Sequence, residues 1–227
     1  WRSFNNTIEG NTVTNAFRGI LIYDSYNNTI TGNTVTDGVV GIELQDCANN
    51  VLRNNQMSNN RANFGVRSYP TYRVVNDVDT SNTIDGAPIY YWVGEEDRTV
   101  PSDAGFVVLI NCTRITLQNL HLSKNDQGIL LFSTTNSTLT QNTIVSTRGG
   151  RGIELVHSSN NNIVENTVQN FSSGIQLAES SYNTITKNTV VYNDRGIVTE
   201  SNSKQNMILE NEITSNDYGI SERGGDN

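Results

Sequence analysis

Apolar and polar residues alternate along this chain in short bursts, and the bursts return in step. A Gly-aliphatic pair recurs about every 22 residues, from Gly19-Ile20 and Gly41-Ile42 through Gly65-Val66, Gly105-Phe106, Gly128-Ile129 and Gly152-Ile153 to Gly219-Ile220. An asparagine keeps the same beat at Asn11, Asn33, Asn55, Asn119, Asn142, Asn166, Asn188 and Asn211. Such a period marks stacked supersecondary units, not a fold with one centre. Within one period, as in Asn28 to Leu44, three β-branched segments of period two are separated by Gly, Asn and Asp. Each is too short for a helix and reads as a strand, and Gly and Asn suit the left-handed backbone of tight turns.

Stacking the periods predicts three inward apolar columns. One runs through Ile8, Ile30, Leu52, Leu139, Ile163, Ile185 and Ile208, and a second through Val13, Val35, Met57, Ile144, Val168, Val190 and Ile213. The third takes Ile20, Ile42, Val66, Phe106, Ile129, Ile153, Ile175, Ile197 and Ile220. The repeating asparagines are expected to form ladders, each amide bonded to its copy in the next coil. A leucine-rich horseshoe lacks its dense leucine motif here, and a hexapeptide helix lacks its six-residue beat. The expectation is an all-β, right-handed parallel β-helix (solenoid) of about nine coils, with handedness from the crossover rule. It is read as a single domain over 1–227, with one insertion at 69–104.

That insertion is where the interval between Gly65 and Gly105 grows to 40. It holds or adjoins Pro70, Pro88 and Pro101, a turn at Asp85-Gly86, and the run Ile89-Tyr90-Tyr91-Trp92-Val93, which reads as a strand. Long insertions on solenoids are usually surface loops on a binding face. Tyr90, Tyr91 and Trp92 beside acids are candidates for contacting sugar, whose C–H faces stack on aromatic rings. The plain alternative is that the rings pack the insertion onto the coil, against outward Leu21, Val107 and Leu130.

Composition narrows the function. Hydrophobic content is 35%, low for a globular protein, yet the apolar residues recur at fixed places, which argues against disorder. The net charge of −8 disfavours nucleic acid and anionic lipid. No apolar run is long enough to insert in a membrane. The chain begins in mid-coil and stops soon after Gly219, so it reads as part of a longer protein, with neighbouring domains expected to cap the stack. Cys47 and Cys112 fall two coils apart, roughly 10 Å, too far for an undistorted disulfide.

Chemistry is sought on the outward columns. Arg151, Glu154, His157, Gln176, Glu179 and Arg195 fall near one wall of three adjacent coils. Paired carboxylates there could act in glycoside hydrolysis, and arginine could neutralise an acidic sugar in a lyase. Glu154, Glu179, His157, Arg151 and Arg195 are thus the candidate catalytic residues, and Gln176 joins the substrate-binding candidates. The plain alternative is solvated opposite charges that pair weakly. Asp24, Glu43 and Asp46 form a weaker acidic patch without a calcium-loop spacing. His121, His157, Cys47, Cys112, Met57 and Met207 are scattered and make no metal cluster, and no cofactor is indicated. Sequons at Asn5, Asn27, Asn111, Asn136 and Asn170 are what Asn-Thr repeats generate by chance.

The run Asp79-Thr80-Ser81-Asn82-Thr83-Ile84-Asp85-Gly86, continuing to Pro88-Ile89-Tyr90-Tyr91, resembles archaeal surface proteins carrying NosD-like β-helix domains. Val100 to Phe106 and Asn111 to Leu117 are similar too. The wider group is named for carbohydrate-binding proteins and sugar hydrolases. This resemblance implies a secreted or cell-surface β-helix, often one module among several, and the expected partner is a polysaccharide or surface glycan. It carries no defined catalytic set. The alternative is a structural or adhesive spacer. If the chain is an enzyme, a polysaccharide hydrolase or lyase is expected.

Overall fold

The computed structural model describes residues 2–67, 73–147, 149–200 and 202–223. Among them the chain is all-β, a parallel β-solenoid of about ten turns with no helix. It forms two compact units, one of residues 1–91 with Lys124–Asp126, the other of Trp92–Ser123 with Gln127–Asn227.

One coil shows how the sequence makes the turn. Thr29–Thr31 and Thr34–Thr36 are three-residue strands whose central Ile30 and Val35 point inward and are buried, and Val40–Gln45 makes the longer third wall. Strands this short are not stable alone; they persist because each pairs in parallel with its copies before and after. The first two columns stand as expected: Ile30 lies opposite Ile8 and Leu52, and Leu139 opposite Ile163. Ile30, Leu139 and Ile185 are fully buried.

At the corners, side-chain amides bond along the stack. Asn11 Nδ2 donates to Asn33 Oδ1 at 2.9 Å, Asn33 to Asn55 at 2.9 Å and Asn55 to Asn82 at 2.8 Å. In the second unit Asn142 donates to Asn166 at 2.8 Å and Asn166 to Asn188 at 3.0 Å. Each such oxygen also accepts the backbone N–H of the asparagine before it, which satisfies corner groups that water cannot reach. Asn119 is not a rung. Leu120 takes that place, its N–H donating to Asn142 Oδ1, and Asn119 is the left-handed residue beside it, at φ 56°.

The third column differs from expectation at two places. Phe64, not Val66, lies opposite Ile42, because Phe64 and Val66 alternate and fit either register. Gly65 faces outward, where Asp126 packs over it. Val107, not Phe106, lies opposite Ile129, and Val108, not Val107, opposite Leu130. All five residues of Phe106–Ile110 are buried, so that strand carries no alternation to read.

The repeating glycines have another purpose than the one expected. Gly19, Gly41, Gly128 and Gly152 are not left-handed. A Cβ on Gly128 would lie 2.1 Å from Ile144 Cγ2 and 2.6 Å from the Gly152 carbonyl, so close approach of the next coil excludes any side chain.

Much of the stretch expected as a loop is coil. Asn76 and Asn82 continue two ladders, Val78 lies opposite Leu52, and Ile84 opposite Met57. The chain then reverses at Asp85-Gly86, both left-handed, and Ala87–Val93 runs antiparallel to Thr83–Ile84. In the second unit Glu96 bridges Thr113 and Thr99 bridges Thr116, again in parallel. Pro70 and the start of the expected insertion, 69–72, lie outside the described residues.

Candidate functional site

The third wall of the second unit carries the candidate residues. Its strand Arg151–Val156 reads Arg-Gly-Ile-Glu-Leu-Val; Ile153 and Leu155 point into the core, and Glu154 points outward. Glu154 lies opposite Leu130 in the coil before and Gln176 in the coil after. Outward positions of a solenoid wall normally face water, yet Glu154 is only 8% exposed and Gln176 only 5%. Arg151 binds both: its Nε donates to Gln176 Oε1 at 2.9 Å, and its Nη1 stands 3.3 Å from Glu154 Oε1. An isolated carboxylate so removed from water would be costly, and the guanidinium supplies the opposite charge.

The other expected members sit apart from that trio. His157 and Glu179 occupy left-handed corner positions, each with φ 50°, one coil apart. His157 Nδ1 lies 3.5 Å from Glu179 Oε2, and the Phe132 ring meets the imidazole edge-on at 5.8 Å. Arg195 is half-buried at the start of its strand, opposite Ser173 and Tyr218. Ser173 separates it from Arg151 along the column.

The aromatic candidates divide. Tyr91 is buried, and its hydroxyl donates to the Val74 carbonyl; burial pushes its pKa up. It is a core residue, with no ring face presented to a ligand. Tyr90 is half-buried. Trp92 is half-buried, with the Arg98 guanidinium stacked 4.5 Å from its ring centre. Arg98 also pairs with Glu95 at 2.7 Å, and Arg114 takes Asp97 in a fork at 2.6 and 2.8 Å. That fork holds the Asp97 carboxyl below its usual pKa.

The first unit contains a cluster that sequence reasoning did not assemble. Glu43, outward on Val40–Gln45, is 2% exposed and lies between Arg18 Nε at 3.0 Å and Arg67 Nε at 3.2 Å. Neither contact is aligned as a hydrogen bond, so these are ion pairs. Arg67 also forks onto Asp126 at 2.8 and 2.7 Å. A signal was available: the tetrapeptide Gly-Ile-Glu-Leu occurs at 41–44 and again at 152–155. Asp126 comes from 59 residues away, so a coil-by-coil alignment could not supply it.

Five corner asparagines, Asn5, Asn27, Asn111, Asn136 and Asn170, are all left-handed. These are the sequon asparagines, so turn geometry alone accounts for asparagine there.

A family model for NosD, described as "Periplasmic copper-binding protein (NosD)", matches residues 1–87 and 75–227. No curated protein matches the chain. Among solved structures the chain is similar to the A-module of the mannuronan C-5 epimerase AlgE6 of Azotobacter vinelandii, at 14% identity and TM-score 0.48, over 96% of this chain and 70% of that one. It is also similar to DFA-IIIase of Arthrobacter chlorophenolicus A6 in complex with GF2, at 11% identity and TM-score 0.40, over 95% and 46%. A mutant of the periplasmic alginate epimerase AlgG gives 14% identity and TM-score 0.40, over 94% and 50%. The chain spans about half the length of the latter two.

Copper, which the family description names, prefers thiolate, thioether and imidazole donors gathered at one point. The donors here do not fit. Met57 is in the core, and burial pushes the Cys47 thiol up to about 12 and the Cys112 thiol up as well, which disfavours thiolate. Met207 is exposed on a late coil, His121 is exposed, and His157 faces Glu179. Among the described residues no three His, Cys, Asp or Glu side chains converge on a metal position. Nor is any helix among them long and apolar enough to cross a membrane.

Proposed function

The chain belongs to the NosD family, and from that premise we propose that it is an extracellular or cell-surface carbohydrate-binding β-solenoid. Its glycan-contacting surface is the third wall of the second unit, with Arg151, Glu154 and Gln176 at the centre. The observation that carries this is the outward carboxylate of Glu154, buried to 8% and locked to an arginine whose side chain stays 38% exposed. Glu154 and Gln176 fix the guanidinium. Its Nη2 then offers a rigid, charged donor to a sugar oxygen. His157 and Glu179, each about one-third exposed at the adjoining corner, supply further polar edges for hydroxyl groups. Arg195 extends the positive character along the same wall.

Binding is the primary activity in this reading. Cleavage would need an acid and a base or nucleophile flanking one bond. Of the wall's acids, Glu179 has the exposure to reach a substrate, with His157 as its partner, which leaves hydrolase or lyase chemistry to those two groups. A glycan array followed by reducing-end and ultraviolet assays on acidic polysaccharides tests both levels. Arg151→Ala and Glu154→Gln are expected to weaken binding at this wall at least tenfold. No retention on any glycan and no cleavage across the panel would leave the second reading, a rigid spacer. That reading is favoured by Tyr91, which serves the core, and by Trp92, one face of which lies under Arg98.

A further inference from the structure

We infer that the first unit carries a second site of the same kind, built on Glu43, so that one chain presents two arginine-edged sites for an acidic oligosaccharide. This deepens the carbohydrate reading and rests on it. Gly41-Ile42-Glu43-Leu44 and Gly152-Ile153-Glu154-Leu155 are identical tetrapeptides, one in each unit. In both, the glutamate is outward in the third wall and lies opposite a leucine of the preceding coil, Leu21 or Leu130. Both carboxylates are withdrawn from water, to 2% and 8% exposure, and both are held by guanidinium within 3.3 Å.

The fold does not require glutamate there. The same column holds Leu21, Val108, Leu130 and Val198 in other coils. A buried ion pair is commonly no more stabilising than an apolar residue in its place. A carboxylate retained at two matching positions therefore points to the arginines it holds. Glu43 and Glu154 are too buried to meet a ligand and act as positioning residues. The groups a ligand can meet are the exposed edges of Arg18 and Arg151, 41% and 38% exposed. Among the described residues Arg18 uses Nε on Glu43, leaving both Nη atoms, and Arg151 uses Nε and Nη1, leaving Nη2. The two Nη atoms of Arg18 make a planar fork, and Nη2 of Arg151 a single fixed donor, and both suit the carboxylate of a uronic acid or a sulfate ester. A chain of net charge −8 offers an acidic polymer no general attraction, so recognition must be local to such points.

The test is isothermal titration with a short oligogalacturonate, with a cello-oligosaccharide of equal length as the neutral comparison. Two sites per chain are expected for the acidic sugar, and binding of the neutral one at least tenfold weaker. Glu43→Gln and Glu154→Gln should each leave one site, and the double variant none. If either variant fails to fold by circular dichroism, Arg18→Lys and Arg151→Lys keep the charge, lose the planar guanidinium donors and should halve the stoichiometry in the same way. One site per chain, insensitive to Glu43→Gln and Arg18→Lys, would overturn this inference while leaving the carbohydrate reading intact. Equal binding of the neutral oligosaccharide would overturn the acidic class. No binding of either sugar would overturn this inference, and no retention on any glycan of the array would remove the carbohydrate reading itself.

Discussion

At the scale of single residues, space and unsatisfied polar groups decide what each corner accepts. Gly128 has no room for a Cβ, since Ile144 Cγ2 and the Gly152 carbonyl would lie at 2.1 and 2.6 Å. Gly128→Ala should cost about 1–3 kcal/mol or more through overpacking against backbone that cannot yield, measured by urea unfolding. Asn166 is more demanding. Its Oδ1 accepts from the N–H and Nδ2 of Asn142, and its Nδ2 donates to the Leu139 and Val164 carbonyls and to Asn188 Oδ1. Asn166→Ala orphans several buried groups, at about 1–3 kcal/mol for each left unpaired. It should therefore destabilise more than the glycine change in the same assay. Cys47 gives an alkaline signature. Burial raises its pKa from 9.0 to about 12 in the folded state, while the unfolded thiol titrates near its ordinary value. Its contribution is complete below about pH 9 and is lost as pH rises from there to about 12, because only the unfolded chain releases the proton. Cys47→Ala should flatten that alkaline decline, and the native thiol should resist alkylation at neutral pH until denaturant is added.

At the scale of the strand and turn, the period was legible and the register was legible only where inward and outward residues differ. Ile8, Ile30 and Leu52 align because threonine or charged neighbours flank each of them on most sides. In Phe106–Ile110 both faces are apolar, and in Ala62–Arg67 two apolar residues alternate, so the glycine beat misleads by one or two residues. The reversal at Asp85-Gly86 was visible as a turn, but not that its second strand would pair antiparallel with Thr83–Ile84. Gly86 has φ +88° with open space around its missing Cβ. Gly86→Val should cost about 1–2 kcal/mol from backbone strain alone, seen as a lowered urea midpoint with an unchanged slope.

At the scale of the whole chain, two units repeat one plan, and the candidate chemistry lies in their outward third walls. The trio Arg151, Glu154 and Gln176 could be read from the repeat, since adjacent coils place equivalent residues together. The burial of Glu154 could not, because an outward position in a short strand is ordinarily wet. Tyr91 was misread for a related reason: Tyr90, Tyr91 and Trp92 are all aromatic, and their sequence does not say which ring turns inward. The acidic chain should leave duplex DNA unshifted in a gel at about 0.1 M salt, as charge repulsion requires. The asparagine ladders have one more consequence. In the ladder Asn142, Asn166, Asn188 and Asn211, each of the first three donates its Nδ2 to the Oδ1 of the rung that follows. The amide dipoles of a ladder therefore add head to tail, as peptide dipoles do in a helix, with the donor pole toward later residues. A turn grafted in reverse would set amino group against amino group, so such a stack can be lengthened or shortened by whole turns but never locally inverted.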